Sequence, residues 1–120
     1  MSGKHSRTKG HSWEREVAQL FRDVGFRAQR GLEYQGDKGD VIVEIEGIES
    51  IMVQCKNSKC PSLWGALKQA KEDSNNSEYI LLPLKRSGHG VKKEDKAQMF
   101  CCSRELFIKL LENISFRSTI

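Results

Sequence analysis

A chain of 120 residues with 38% hydrophobic content has room for one core and excludes a string of separate modules. No stretch approaches the roughly 20 apolar residues of a membrane span, and the opening MSGKHSRTKGHS lacks the apolar run of a signal peptide, so the sequence reads as an intracellular, cytoplasmic protein. Its 20 Lys and Arg against 16 Asp and Glu give a net charge of +4, which suits a polyanionic partner and equally an ordinary soluble surface.

Residues 1–11 carry Lys4, His5, Arg7, Lys9 and His11 without apolar periodicity and read as a flexible basic arm. Residues 12–120 read as one domain. Ser12 is placed to cap a helix whose Trp13, Val17, Leu20, Phe21 and Val24 share a face before Gly25 ends it. A short strand over 26–30 and a glycine-rich loop over 31–39 follow. Two alternating runs, 41–46 and 51–56, flank a turn centred on Gly47 and predict an antiparallel hairpin. Ser62 then caps a helix with Leu63, Leu67 and Ala70 on one face. Tyr79–Leu84 is a short apolar strand, and Pro83 within it predicts an edge or a bulge. A basic loop leads to a strand near 97–102, after which Ser103 caps a last helix with an apolar stripe of Leu106, Phe107, Leu110, Leu111 and Ile114. This order predicts an α/β fold, a mixed sheet flanked by helices.

Four cysteines, Cys55, Cys60, Cys101 and Cys102, lack the paired spacing of a structural zinc site. Adjacent Cys101 and Cys102 on a strand point to opposite faces. Reduced, buried thiols are the expectation. Trp13 and Trp64 sit at helical spacing and receive no functional role.

Three segments carry polar residues whose phases converge. Glu14 lies three residues before Val17 and seven before Phe21, at the edge of the core-facing stripe, whereas Glu16 aligns with Gln19 and Asp23 on the solvated face. A carboxylate aimed at a sheet needs a cation or a donor, although a first-turn glutamate also has the helix dipole to favour it. Asp40 opens the Val41 strand after a glycine, in phase with Ile42 and Glu44; such an aspartate also serves in turns, and Asp37 in the loop competes with it. In the second run the period of two sends Gln54 and Lys56 to one side and Val53 and Cys55 to the other. A half-exposed strand has the same pattern. Together the three segments offer oxygens for a hard cation beside an ammonium group, and Mg2+ needs only two or three protein oxygens because it keeps several waters.

The spacing of Asp40 and Gln54-Cys55-Lys56 resembles the PD-(D/E)XK nuclease signature. The segment KGHSWEREVAQLFRDVGFRAQR, with Lys9, Gly10, Glu14, Arg15, Gly25, Phe26 and Arg30, is similar to the opening of archaeal and phage-type Holliday-junction resolvases. The stretch GDKGDVIVEIEGIESIMVQCKNSKCPSLWGALKQA, with Leu63, Trp64 and Ala70, resembles the phage members, and the likeness spans roughly residues 9–86. It implies a restriction-endonuclease-like mixed sheet flanked by helices, a Mg2+ or Mn2+ requirement, and a homodimer acting on branched DNA. It makes Glu14, Asp40, Gln54 and Lys56 the catalytic set. Asp40, Gln54, Glu14 and the Cys55 backbone carbonyl become metal ligands, and Arg30 a phosphate contact. The family usually has Asp or Glu where this chain has Gln54, and an amide brings no charge to a cation.

Basic residues assigned to DNA are Lys4, Arg7 and Lys9 of the arm, Arg30, Lys38 in the glycine-rich loop, Lys59 beside Lys56, and Lys85 with Arg86. The lysines from Lys92 to Lys96 are interrupted by Glu94 and Asp95 and read in part as solvated charge. Such a distribution predicts salt-sensitive binding with little base specificity. A nuclease of the same fold acting on duplex or DNA ends, or a binding protein on this scaffold, remain the alternative readings.

Overall fold

The computed structural model describes residues 2–31, 40–74 and 77–118, and for 2–9 and 116–118 the backbone alone. Its elements are α1 (Ser2–Asp23), β1 (Arg27–Arg30), β2 (Val41–Glu44), β3 (Met52–Val53), β4 (Lys56–Ser58), α2 (Leu63–Asp73), β5 (Ile80–Arg86), β6 (Ala97–Cys102) and α3 (Arg104–Ser118). They follow the order the hydrophobic periodicity predicts. The six strands form one mixed sheet: β1, β2 and β3 are antiparallel neighbours, β3 and β4 both run parallel to β5, and β6 pairs antiparallel with β5.

Two apolar clusters hold helices to the sheet. On one side Trp13, Val17 and Ala18 of α1 and Leu106 of α3 meet Val41, Val43, Ile48, Ile51 and Val53. On the other, Ala66 and Ala70 of α2 meet Met52, Ile80, Leu82 and Leu84. The strand period of two makes this division: Val41 and Val43 go to the first side, Met52 to the second. Capping fixes the helix starts as expected. Ser62 Oγ accepts the Gly65 N–H at 3.0 Å, and Ser103 Oγ accepts the Leu106 N–H at 3.3 Å while donating to the Glu78 carbonyl at 2.6 Å. Gly47 turns the chain with φ 87°, and Asn113 of α3 donates to the neighbouring Glu46 carbonyl at 3.1 Å.

Three expectations need correction. The backbone of residues 2–11 is helical and continuous with α1, so Ser12 lies within the helix instead of capping it. No proline interrupts the extension of the helix back from the Trp13–Val17 packing, although Gly3 and Gly10 weaken it. The stripe on α3 is split: Leu106 is buried and Leu110 packs on the core, but Phe107, Leu111 and Ile114 face outward. Pro83 sits in a central strand, not at an edge, because β6 covers the far side of β5.

Pro83 also explains why β3 and β4 are separate. Met52 lies opposite Ile80 and Lys56 opposite Leu84, one unbroken parallel register. The Met52 N–H donates to the Tyr79 carbonyl at 2.8 Å and the Gln54 N–H to the Leu81 carbonyl at 3.0 Å. The next rung needs an N–H from residue 83 to the Gln54 carbonyl, and proline has none. β3 and β4 are therefore one strand lacking a single rung at Gln54–Cys55. The Pro83 carbonyl accepts the buried Trp13 indole N–H at 3.0 Å, which ties α1 to this gap.

Candidate active site

The site forms where β2 begins, beside the missing rung. Val41 faces Val53, and the Asp40 N–H also donates to the Val53 carbonyl at 2.8 Å. Two residues thus meet one, the geometry of a β-bulge, which re-aims a side chain. The Asp40 carboxylate consequently turns along the strand edge, and its Oδ2 accepts the Cys55 N–H at 2.8 Å. In a strand, the carbonyl of a residue points to the same edge as its N–H, so the Cys55 carbonyl shares the Asp40 side.

Glu14 reaches this end of the sheet from α1 and meets Arg30 of β1, with Arg30 Nε 3.1 Å from Glu14 Oε1. Burial pushes the Glu14 carboxyl up to about 7, and the Asp40 charge adds to the rise, against the lowering by Arg30 and Arg15. Burial likewise raises Asp40. The Cys55 N–H bond and the Lys56 and His11 charges work against that rise, whereas the Asp73 charge adds to it. Burial, then the Asp40 and Glu14 charges, push the Cys55 thiol up as well, so it stays protonated. Two carboxylates held at a cost in the ionised form are an electrostatic opening for a cation or a proton.

Gln54 is 8% exposed, and no described residue is hydrogen-bonded to its side-chain amide. A buried amide without a partner costs free energy unless something else satisfies it. By strand phase Gln54 and Lys56 leave the same face as Met52. The charge of Lys56 acts on Asp40. Glu14, Asp40 and Lys56 are thus electrostatically joined, and Gln54 is adjacent through its strand alone.

The oxygens that the sequence assigns to a cation are two carboxylates and the Cys55 carbonyl at this end of the sheet, and the Gln54 amide, which by strand phase leaves on the α2 side. An all-oxygen set suits a hard divalent cation that retains waters. Among the described residues no group of three His, Cys, Asp or Glu side chains is placed to hold a metal, so an ion here rests on two carboxylates only. All four cysteines are free, and contrary to the expectation none is fully buried: Cys55, Cys101 and Cys102 pack partly buried against the clusters, and Cys60 is exposed because its loop lies outside both.

The basic residues divide. Arg30 is engaged with Glu14. Lys85 is turned to α1, with its Nζ 2.8 Å from Glu16 Oε2 and 5.2 Å from the Trp13 ring centroid, so a surface ion pair takes up the charge that the sequence assigns to DNA. Arg86 Nε donates to the Lys59 carbonyl at 3.0 Å, so the Arg86 side chain reaches the backbone just past the end of β4. Lys38 and Asp37 lie outside the described residues, as do the side chains of Lys4, Arg7 and Lys9. Sequence reasoning missed His11 and Asp73 as neighbours of Asp40. His11, three residues before Glu14 on α1, was findable from helical spacing; Asp73, at the end of α2, carries no local signal.

No protein family, curated protein or solved structure matches this chain. No helix among the described residues is long and apolar enough to cross a membrane.

Proposed function

We propose that the chain is a metal-dependent endonuclease of the restriction-endonuclease-like PD-(D/E)XK type that hydrolyses phosphodiester bonds in branched DNA, as Holliday-junction resolvases do. One observation carries the reading: Glu14 and Asp40 are both raised by burial, the Asp40 charge acts on Glu14 and the Lys56 charge on Asp40, and the Lys56 strand also carries a buried Gln54 amide to which no described residue is bonded. A purely structural cluster has no reason to gather two costly carboxylates beside an ammonium group.

Asp40, Glu14, the Gln54 amide oxygen and the Cys55 carbonyl would hold Mg2+ or Mn2+. When bound, such an ion supplies charge stabilisation at a phosphate and a more acidic water. Asp40 is positioned for this by the bulge and by the Cys55 N–H. Lys56 orients a water or meets charge developing on the phosphate. Arg30 orders Glu14 through Nε and has further N–H groups for a phosphate oxygen. Lys59 and Arg86 extend a basic track along the backbone of the nucleic acid, which makes binding sensitive to salt. A four-way junction needs paired cuts, and a homodimer supplies two such sites.

Gln54 favours a second reading. With only two carboxylates, the scaffold can bind DNA without cutting it. Cleavage of a labelled four-way junction beside matched linear duplex, with Mg2+, Mn2+ or chelator, separates the two. Asp40→Asn keeps an acceptor for the Cys55 N–H but removes the charge, so cutting is expected to fall by about a hundredfold or more while DNA binding persists. Binding without metal-dependent cutting by the native protein would sink the enzyme and leave the binding scaffold. Equal cutting of both substrates would remove the junction preference alone.

A further inference from the structure

Among the described residues β6 is an edge strand with none of the usual protection. Over Ala97–Cys102 it carries no charged residue and no proline, and residues 97–100 are all exposed. Natural sheet edges are generally blunted by charge, proline, a bulge or a covering element, because free N–H and C=O groups recruit another strand. The register against β5 runs unbroken from Leu81 opposite Cys102 to Arg86 opposite Ala97. Leu81 and Pro83 of β5 direct their backbone groups to β3 and β4, so Leu82, Leu84 and Arg86 direct theirs to Cys101, Met99 and Ala97. Gln98, Phe100 and Cys102 therefore present their backbone N–H and C=O groups outward.

Both faces flanking this edge expose large apolar side chains, with Glu16, Gln19 and Asp23 of α1 at the border of one of them. Phe100 lies on the α1 side, its ring centroid 5.9 Å from that of Trp13, and is 39% exposed. It borders a depression of about 580 Å³ whose lining includes Leu20 and Val24 of α1, exposed by 43% and 67%. Met99 takes the other face, in phase with Cys101, which packs against the α2 cluster. It is 62% exposed, and Trp64 of α2 on that same side is 74% exposed.

We propose that β6 pairs antiparallel with β6 of a second copy, about a two-fold axis at Phe100, to make one continuous sheet across a homodimer. The occupant follows from self-complementarity. An antiparallel pair centred on an outward-facing residue is isologous, so each outward N–H meets the matching C=O of the other copy. In this register Phe100 lies opposite Phe100, Met99 opposite Cys101 and Gln98 opposite Cys102, and no pair within the strand brings charges together. A strand of six residues, about 20 Å long, supplies only part of the roughly 800 Å² per partner of a standard interface. Leu20, Val24, Met99 and Trp64, on the two flanks, supply apolar area for the remainder. The inference rests on the homodimer of the proposed function and adds its interface from strand geometry and exposure, and its readout, association, is separate from cleavage, so that either can fail alone.

Sedimentation of the full chain tests it together with amide hydrogen exchange. The native protein is expected to sediment as a dimer. Gln98→Pro removes an outward N–H and leaves the β5 ladder intact, and Met99→Lys places charge on the flank; each is expected to weaken dimerisation at least tenfold with unchanged circular dichroism. Should either variant misfold, exchange in the native dimer decides: slow exchange at Gln98 and Phe100, approaching that of the inward Met99 amide, supports the pairing. A native monomer at all concentrations, a dimer unaffected by both folded variants, or rapid exchange at Gln98 and Phe100 in a dimer would overturn it.

Discussion

Glu14 and Glu16 stand two residues apart on α1, and each is paired with a cation, yet they belong to different regions of the molecule. Glu16 meets Lys85 at 2.8 Å on the outer face, where its side chain is 45% exposed. Glu14 meets Arg30 at 3.1 Å, but its side chain is 16% exposed and it faces Asp40. The shorter contact is the electrostatically ordinary one. At Glu14, loss of hydration and a second carboxylate outweigh the arginine, and the carboxyl rises to about 7. An ion pair thus says little by itself about function; what matters is whether its members sit where water has been removed and like charge gathered.

The largest effect expected from this contrast is on pH-dependent stability. Between its ordinary value of 4.5 and about 7, Glu14 binds a proton in the folded state that it has lost in the unfolded one, so stability falls as pH rises through that window. Glu14→Gln removes this slope: thermal melts should match the native protein at pH 4 and show the variant more stable at pH 8, by on the order of 2 kcal/mol. A native protein as stable at pH 8 as at pH 4, with the variant no different, would undo the assignment. Arg30→Gln tests the opposing influence and should shift the Glu14 titration upward by roughly one pH unit, read from its carboxyl carbon resonance. An unchanged titration would mean that the arginine is a packing partner only. Glu16→Gln is the smallest change. Its exposed pair should be worth about 0.5 kcal/mol or less, and a larger loss in chemical denaturation would erase the distinction between the two faces.

Much of the fold was legible because its signals are local. The spacing of Trp13 and Val17, the alternation through Val41 and Val43, and the caps Ser62 and Ser103 all act within a few residues. Asp40 and Lys56 were legible for the same reason, as each marks a strand terminus or phase. What escaped depends on contacts distant in sequence. The helical state of residues 2–11 is inherited from packing further along α1, and neither Lys85 with Glu16 nor Arg30 with Glu14 can be read from spacing. Pro83 is the clearest case. The rule that proline belongs at sheet edges holds only when a neighbouring strand needs its N–H; here the missing donor falls at Gln54–Cys55, where the sheet forgoes a rung. The phase of Asp40 also changed, since the bulge turns its carboxylate along the sheet edge to Cys55 instead of off one face.

The Trp13 to Pro83 bond joins residues 70 positions apart, and Glu14 is the next residue after Trp13. Asp40 and Lys56 lie close in sequence and can meet through a local hairpin, Glu14 joins them as α1 docks on β1 and β2, and the Trp13 bond then ties the same helix to a strand made two-thirds of the way along the chain. Closing so long a loop comes at an entropic cost that nearer contacts do not carry. During synthesis, therefore, the bond from Trp13, the residue beside Glu14, to the missing rung has to wait for β5. A chain that has emerged only as far as α2 already carries Glu14, Asp40 and Lys56 but lacks the strand that pairs with Lys56 and anchors Trp13.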